Sequence, residues 1–81
     1  MELLTLKPLR HQDTLDVEVV ALDDSGVTLT CTAQLTKDLS DIHTVAWDDK
    51  TTVTEELLAF VRSEVRRYLE ANQAKLGEML K

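Results

Sequence analysis

The strongest constraint on the fold of this chain is a long segment of helical periodicity over residues 52–81. At about 100° per residue, most of its large side chains fall in one sector of a helix that is about 120° wide. This stripe consists of Leu57, Leu58, Val61, Val65, Tyr68, Leu69, Asn72, Leu76 and Met79. Thr52 and Glu55 have the spacing of a capping box, which is typical of a helix start. The pattern therefore predicts one amphipathic helix, which needs a partner surface for its apolar side.

Two segments before this helix alternate apolar and polar residues with the period of a β-strand. They are residues 15–22 and 27–35, and the second alternates without a fault. The turn residues Asp23, Asp24, Ser25 and Gly26 separate them. Asp and Ser suit the early positions of such a turn, and glycine suits a left-handed position. We therefore expect residues 15–35 to form a β-hairpin.

Two further strands are predicted less directly. Residues 2–7 read as a first strand with Leu4 and Leu6 on one face, and Pro8 either ends it or confines it to a sheet edge. Residues 42–47 are a fourth strand in one interpretation, although both of their faces are equally apolar. The predicted fold class is α+β, a three- or four-stranded antiparallel β-meander followed by one long C-terminal α-helix packed on one face of the sheet. The chain is then a single domain over residues 1–81, with the sheet in 1–47 and the helix in 52–81.

The predicted helix is longer than the predicted sheet. A helix of about 28 residues spans about 42 Å, whereas strands of eight or nine residues span about 28 Å. We therefore expect residues 72–81 to project beyond the sheet, and exposed apolar residues on such a projection are typical of an interface. The candidate interface residues are Phe60, Tyr68, Asn72, Leu76, Met79 and Leu80. The tail would pair with a second copy, bind a different partner, or fray.

The charge of the chain lies in its first half. Residues 1–51 hold four Lys or Arg against ten Asp or Glu, which accounts for the net charge of −6, and residues 52–81 hold five of each. Binding to a phosphate backbone or to an anionic membrane needs clustered basic residues. Direct nucleic-acid binding and membrane binding are therefore disfavoured. A small basic group, Arg62, Arg66 and Arg67, is read as a solvated helix face.

No set of residues has the spacing of a catalytic, cofactor or metal site. His11 and His43 could join a nearby aspartate on a metal, but their spacing matches no ligand pattern. Cys31 lies between Leu29 and Ala33 on the apolar face of a strand, as a buried thiol would. We therefore predict no catalytic residue, no cofactor and no metal. The lone cysteine, and a start that lacks the pattern of a secretory signal, favour a cytoplasmic location.

The leading functional hypothesis is a small non-enzymatic protein-interaction module, a homodimer built through the C-terminal helix. The alternative is an acidic inhibitor or nucleic-acid mimic that presents Asp16, Glu18, Asp23 and Asp24 to a basic partner. A third hypothesis, a small metal-dependent enzyme, would use His11 or His43. The three hypotheses place function on the helix tail, on the strand surface, or at the histidines.

Overall fold

The computed structural model describes residues 1–48 and 50–81 of the chain. Within these residues, four strands pair in chain order into one antiparallel sheet, and two helices follow. The strands are β1 (Glu2–His11), β2 (Thr14–Leu22), β3 (Thr28–Leu35) and β4 (Ile42–Trp47), and the helices are α1 (Glu55–Ala71) and α2 (Gln73–Met79). The predicted α+β meander is confirmed, with the fourth strand at the predicted bounds. The prediction of one long helix is not confirmed, because the helical segment is broken into two.

The first strand is longer than its sequence predicts. It continues through Pro8, which lies opposite Val17, and ends at His11. Proline is tolerated here because β1 is an edge strand, where one side of the backbone needs no partner. The register shifts between Leu3 and Thr5, so Leu3 rather than Leu4 shares the inner face with Leu6. Leu4 is left 46% exposed, and the prediction of Leu4 and Leu6 on one face is therefore wrong.

The core lies between one face of the sheet and one side of the helices. Alternate residues of β2 and β3 point to this face, as their period-2 pattern predicts. The buried residues of the strands are Leu15, Val17, Val19, Ala21, Cys31, Ala33 and Leu35. Those of α1 are Leu57, Val61, Val65 and Leu69, spaced four apart along the helix. The opposite face of the sheet has no helix over it within the described residues.

The first helix begins later than the capping box predicts. Thr54 is its N-cap, and the Thr54 hydroxyl accepts a hydrogen bond of 3.1 Å from the backbone N–H of Leu57. Glu55 and Glu56 occupy the first turn, where negative charge suits the positive end of the helix dipole. Thr52, predicted as the cap, lies in the connection before the helix.

The helical segment breaks at Asn72, whose φ of −129° and ψ of 24° are not helical. The Asn72 side-chain amide donates a hydrogen bond of 2.9 Å to the backbone oxygen of Tyr68. Beyond the break, Gln73 Nε2 donates a hydrogen bond of 2.8 Å to the backbone oxygen of Leu39, in the connection between β3 and β4. Leu76 of α2 is 0% exposed and joins the core together with Leu39. The break therefore turns the tail onto the end of the sheet.

Candidate interaction surface

The six residues predicted to form an interface occupy three different environments. Leu76 is fully buried in the core and offers no surface to a partner. Phe60, Tyr68, Met79 and Leu80 are partly buried and pack against the core. Asn72 is half-buried, and its amide is used within the helical segment itself. The helix thus retains an apolar surface, made of four of the six residues, although Leu76 is not part of it.

The side of α1 that faces the β3–β4 connection is basic. Arg66 Nε donates to Asp41 Oδ1 at 3.2 Å, and Asp41 immediately precedes β4. The pKa of Asp41 is lowered, first by the hydrogen bond from the Ile42 N–H and then by Arg66, with a further contribution from the charge of Arg62. Both guanidinium groups therefore act on this one carboxylate at the start of β4.

The uncovered face of the sheet mixes polar and apolar side chains, since the threonines of β3 share it with Val20 and Leu9. Cross-strand partners form rows across it, for example Glu18 beside Lys7 and Thr32. The threonines expected on a half-solvated face of β3 are half-buried or exposed there. Asp16, in the neighbouring row, has a buried Oδ1 without a hydrogen-bond partner among the described residues. A buried acceptor without a donor costs about 1–3 kcal/mol, so the described residues leave one hydrogen-bond acceptor of this face unpaired.

The two edges of the sheet differ in their chemistry. Charged residues and a proline stand along β1, namely Glu2, Lys7, Pro8 and Arg10, and its register is irregular near Leu4. Such features block the addition of another strand. By contrast, β4 reads Ile-His-Thr-Val-Ala-Trp and contains no Asp, Glu, Lys, Arg or Pro. The register of β4 with β3 also shifts, between Gln34 and Leu35, so the two edges differ in charge and proline content but not in regularity.

Sequence reasoning missed this contrast. The predicted meander places residues 42–47 at an edge of the sheet, and their uncharged composition is visible in the sequence, so both signals for this contrast were present. An uncharged composition is informative only in an edge strand, because central strands are normally poor in charged residues.

The acidic residues assigned to an inhibitory surface are divided between two places. Asp16 and Glu18 lie on the uncovered face of the sheet. Asp23 accepts hydrogen bonds from the backbone N–H groups of Ser25 and Val27, within the β2–β3 turn. Asp24 forms an ion pair of 2.8 Å with the N-terminal amine. The two turn residues are thus engaged in local structure.

The residues considered for chemistry are not brought together. His11 and His43 are both exposed, on opposite edge strands of the sheet. Among the described residues, no group of three His, Cys, Asp or Glu side chains could hold a metal ion. Cys31 is 4% exposed, and burial raises the pKa of its thiol to about 11. The thiol is therefore protonated at neutral pH, which leaves it a poor nucleophile.

Two surface depressions of about 290 Å³ and 280 Å³ lie beside the sheet. The first is lined by Met1, Asp23 and Lys50 together with residues at the start of α1. The second is lined by His43 and Lys37 with neighbouring polar residues of β2 and β3. Lys37 is also paired with Asp13 at 3.5 Å, which offsets the charge of the second depression.

Comparison with protein-family models, with curated proteins and with solved structures finds no match to this chain. Across residues 1–48 and 50–81, neither helix has the length and apolar character needed to cross a membrane.

Proposed function

We propose that this chain is a small non-enzymatic protein-interaction module that works as a homodimer. The observation that supports the proposal is the incomplete cover of its core. Among residues 1–48 and 50–81, twelve buried residues form the core cluster, and ten further hydrophobic residues pack against it while remaining partly exposed. These partly exposed hydrophobic residues together form an apolar surface that a partner would cover.

The physical reason lies in the size of the chain. A domain of about 80 residues has a high ratio of surface to volume, and small domains commonly gain stability by burying surface against a partner. A second copy is the partner we propose, because two-fold dimers are the commonest assemblies of soluble proteins. Dimerisation would add burial without requiring any further element of the fold.

The partly exposed residues include two groups that a second copy could cover. One group lies on β4 and consists of Ile42, Val45 and Trp47. The other lies on the helices and consists of Phe60, Tyr68, Met79 and Leu80. The second group consists of four of the six residues that the sequence predicts for a helical interface, with Asn72 and Leu76 left out. Either group would serve the same function, and they differ in the variants that would abolish it.

The test of the proposed function is the mass of the chain in solution as a function of its concentration. Sedimentation velocity or light scattering should show a mass that rises from the 9.1 kDa of one chain towards twice that value. A mass that stays at one chain over the whole accessible range would overturn the proposal.

Variants then locate the contact on the helices. Met79→Glu should weaken association if the helical group forms the interface, because it places a charge on an apolar contact. Lys75→Glu is the matched control, since Lys75 is exposed on the same short helix. An effect of Lys75→Glu as large as that of Met79→Glu would point to net charge rather than to the contact.

A further inference from the structure

We propose that the homodimer forms by exchange of α2 between two copies of this chain. In the exchanged form, α1 and α2 straighten into one helix, and α2 of each copy docks beside Leu39 of the other copy. The contact that joins the two copies is therefore one that the single chain already makes with itself. This inference rests on the proposed function, because it names the way in which the homodimer forms.

The surface on which α2 docks lies at the end of the core, and we call it the Leu39 site. It consists of the Leu39 backbone oxygen, which accepts the hydrogen bond of 2.8 Å from Gln73 Nε2, and of the neighbouring core that Leu76 enters. Leu39 is 5% exposed and has a φ of 59°, a left-handed conformation that leucine rarely adopts. A buried residue in such a conformation keeps it only while its surroundings hold it there. The site therefore needs an occupant, and α2 is the segment that fits it.

The break between α1 and α2 lacks most of the local features that end one helix and begin another. Residues 70–74 contain neither glycine nor proline. Within the described residues, the last turn of α1 has no basic residue and the first turn of α2 has no acidic residue, although such charges would suit the helix dipoles. The Asn72 amide is used on α1, at the Tyr68 oxygen, and does not cap α2. The docking of α2, rather than the sequence around Asn72, therefore holds the break open.

The helical pattern of the sequence continues through the break. Leu69, Asn72, Leu76 and Met79 are three or four residues apart, so one continuous helix would keep them on the same side. Only Asn72 separates the two helices, and a change of its φ and ψ from −129° and 24° to helical values would join them. The sequence thus suits a bent and a straight form, and the hinge between them is a single residue.

The straight form needs a second copy. Its residues 73–81 would project about 14 Å beyond Asn72, away from the Leu39 site of their own chain. A second straight copy has the same vacant site and the same uncovered tail, so a two-fold exchange fills both sites at once. Leu76 stays buried in both forms, and exchange changes only which copy buries it. The new contact between the copies lies where the two straightened helices pass each other, near the partly exposed Tyr68.

The hinge is tested by comparing Asn72→Ala with Asn72→Gly. Both variants lose the amide bond to the Tyr68 oxygen, so they differ mainly in helix propensity, which is high for alanine and low for glycine. The exchanged dimer contains two straightened hinges, so Asn72→Ala should associate about tenfold or more tightly than Asn72→Gly in sedimentation velocity. Ser63→Ala is the control, because it raises helix propensity at an exposed position that is helical in both forms. It should leave association unchanged.

The exchange itself is tested by cross-linking between different chains. Ser40→Cys and Ala74→Cys are made in separate chains, since both positions are exposed and each adjoins one partner of the hydrogen bond that holds α2 on the Leu39 site. The chains are mixed in dilute solution, concentrated and treated with a short bismaleimide. A covalent dimer should appear on denaturing electrophoresis, because α2 of one chain lies on the other. A mixture with Ala59→Cys, exposed on α1, in place of Ala74→Cys is the control, and the buried Cys31 should not react.

The outcomes separate this inference from the proposed function. If the native chain dimerises but the mixture of Ser40→Cys and Ala74→Cys cross-links no more than the control mixture, the exchange is wrong and the homodimer stands. Equal association of Asn72→Ala and Asn72→Gly would also overturn the exchange. Circular dichroism checks that both hinge variants remain folded, and should either unfold, the cross-linking alone decides. If the native chain is monomeric throughout, both proposals fail.

Discussion

Gln73 and Leu39, which are 34 residues apart in sequence, are joined by a hydrogen bond of 2.8 Å from the Gln73 side chain to the Leu39 backbone oxygen. This bond ties α2 to the connection between β3 and β4. It lies beside the point where Leu39 and Leu76 enter the core. The tail of the helical segment, which the sequence predicts to project beyond the sheet, therefore packs against the end of the sheet.

Gln73→Ala removes this bond and leaves the Leu39 oxygen to find another donor. We expect a loss of about 1 kcal/mol in the free energy of unfolding. Hydrogen exchange at the amides of α2 should also accelerate. Lys75→Ala on the same helix is the control, and equal effects of the two variants would mean that the bond contributes little.

Leu76→Ala should be among the most damaging changes in the chain. Leu76 is fully buried, and removal of such a side chain costs about 2–5 kcal/mol through lost burial and the cavity left behind. Urea denaturation followed by circular dichroism measures the loss. Leu80→Ala, at a half-buried position of the same tail, should cost clearly less. Similar losses for both would show that α2 does not dock as described.

Gln12→Gly should stabilise the chain. Gln12 has a φ of 58° in the tight connection between β1 and β2, where a residue with a side chain pays roughly 1–2 kcal/mol. Glycine avoids this cost but loses more conformational entropy on folding, so the net gain is up to about 1 kcal/mol. The melting temperature reports the change. Gln12→Ala keeps the strained φ and should give no gain, so a gain from alanine would exclude the backbone as the cause.

Asp41→Asn should reduce the sensitivity of the fold to acid. The pKa of Asp41 is lowered from its ordinary value of 3.8 in the folded chain, first by the Ile42 N–H and then by Arg66. The ionised carboxylate therefore stabilises the folded state above the unfolded pKa, and this contribution is lost as pH falls through the folded pKa. Melting temperatures measured from about pH 7 to about pH 2 should show the native chain and the variant converging at low pH.

The control for this pH series is Glu70→Gln, on the exposed side of α1. It should shift the melting temperature little and in parallel with the native chain. A constant difference between the native chain and Asp41→Asn at every pH would show that the ionised carboxylate is not what stabilises the fold.

Much of the sheet could be predicted because its signals are local. The alternation in β2 and β3 fixes which residues point inward, and the turn at Gly26, with its φ of 84°, fixes their pairing. Residues 42–47 form β4 at the bounds expected from their composition. These strands are determined by residues close together in the chain, so the pattern of the sequence is enough to predict them.

The features that escaped prediction depend on distant contacts. The register shift near Leu4 exchanges which leucine faces the core, and no pattern in residues 2–7 signals it. Asn72 stands at a position of the apolar stripe, so helical periodicity continues through the break. The break is explained only when Gln73 and Leu76 meet the β3–β4 connection, whose path the sequence did not show. The prediction that residues 72–81 project beyond the sheet assumed one straight, unbroken helix.

The strand order β1-β2-β3-β4 has a consequence for how the chain folds. Every strand pairs with its neighbour in sequence, so each step closes a short loop at a small entropic cost, and chains of this kind fold quickly for their size. The helices come last along the chain, and their apolar stripe has nothing to pack on until the meander exists. During synthesis the sheet therefore emerges before its cover. For that interval both of its faces and the uncharged edge of β4 are open to other chains, which makes this the period of greatest risk of aggregation.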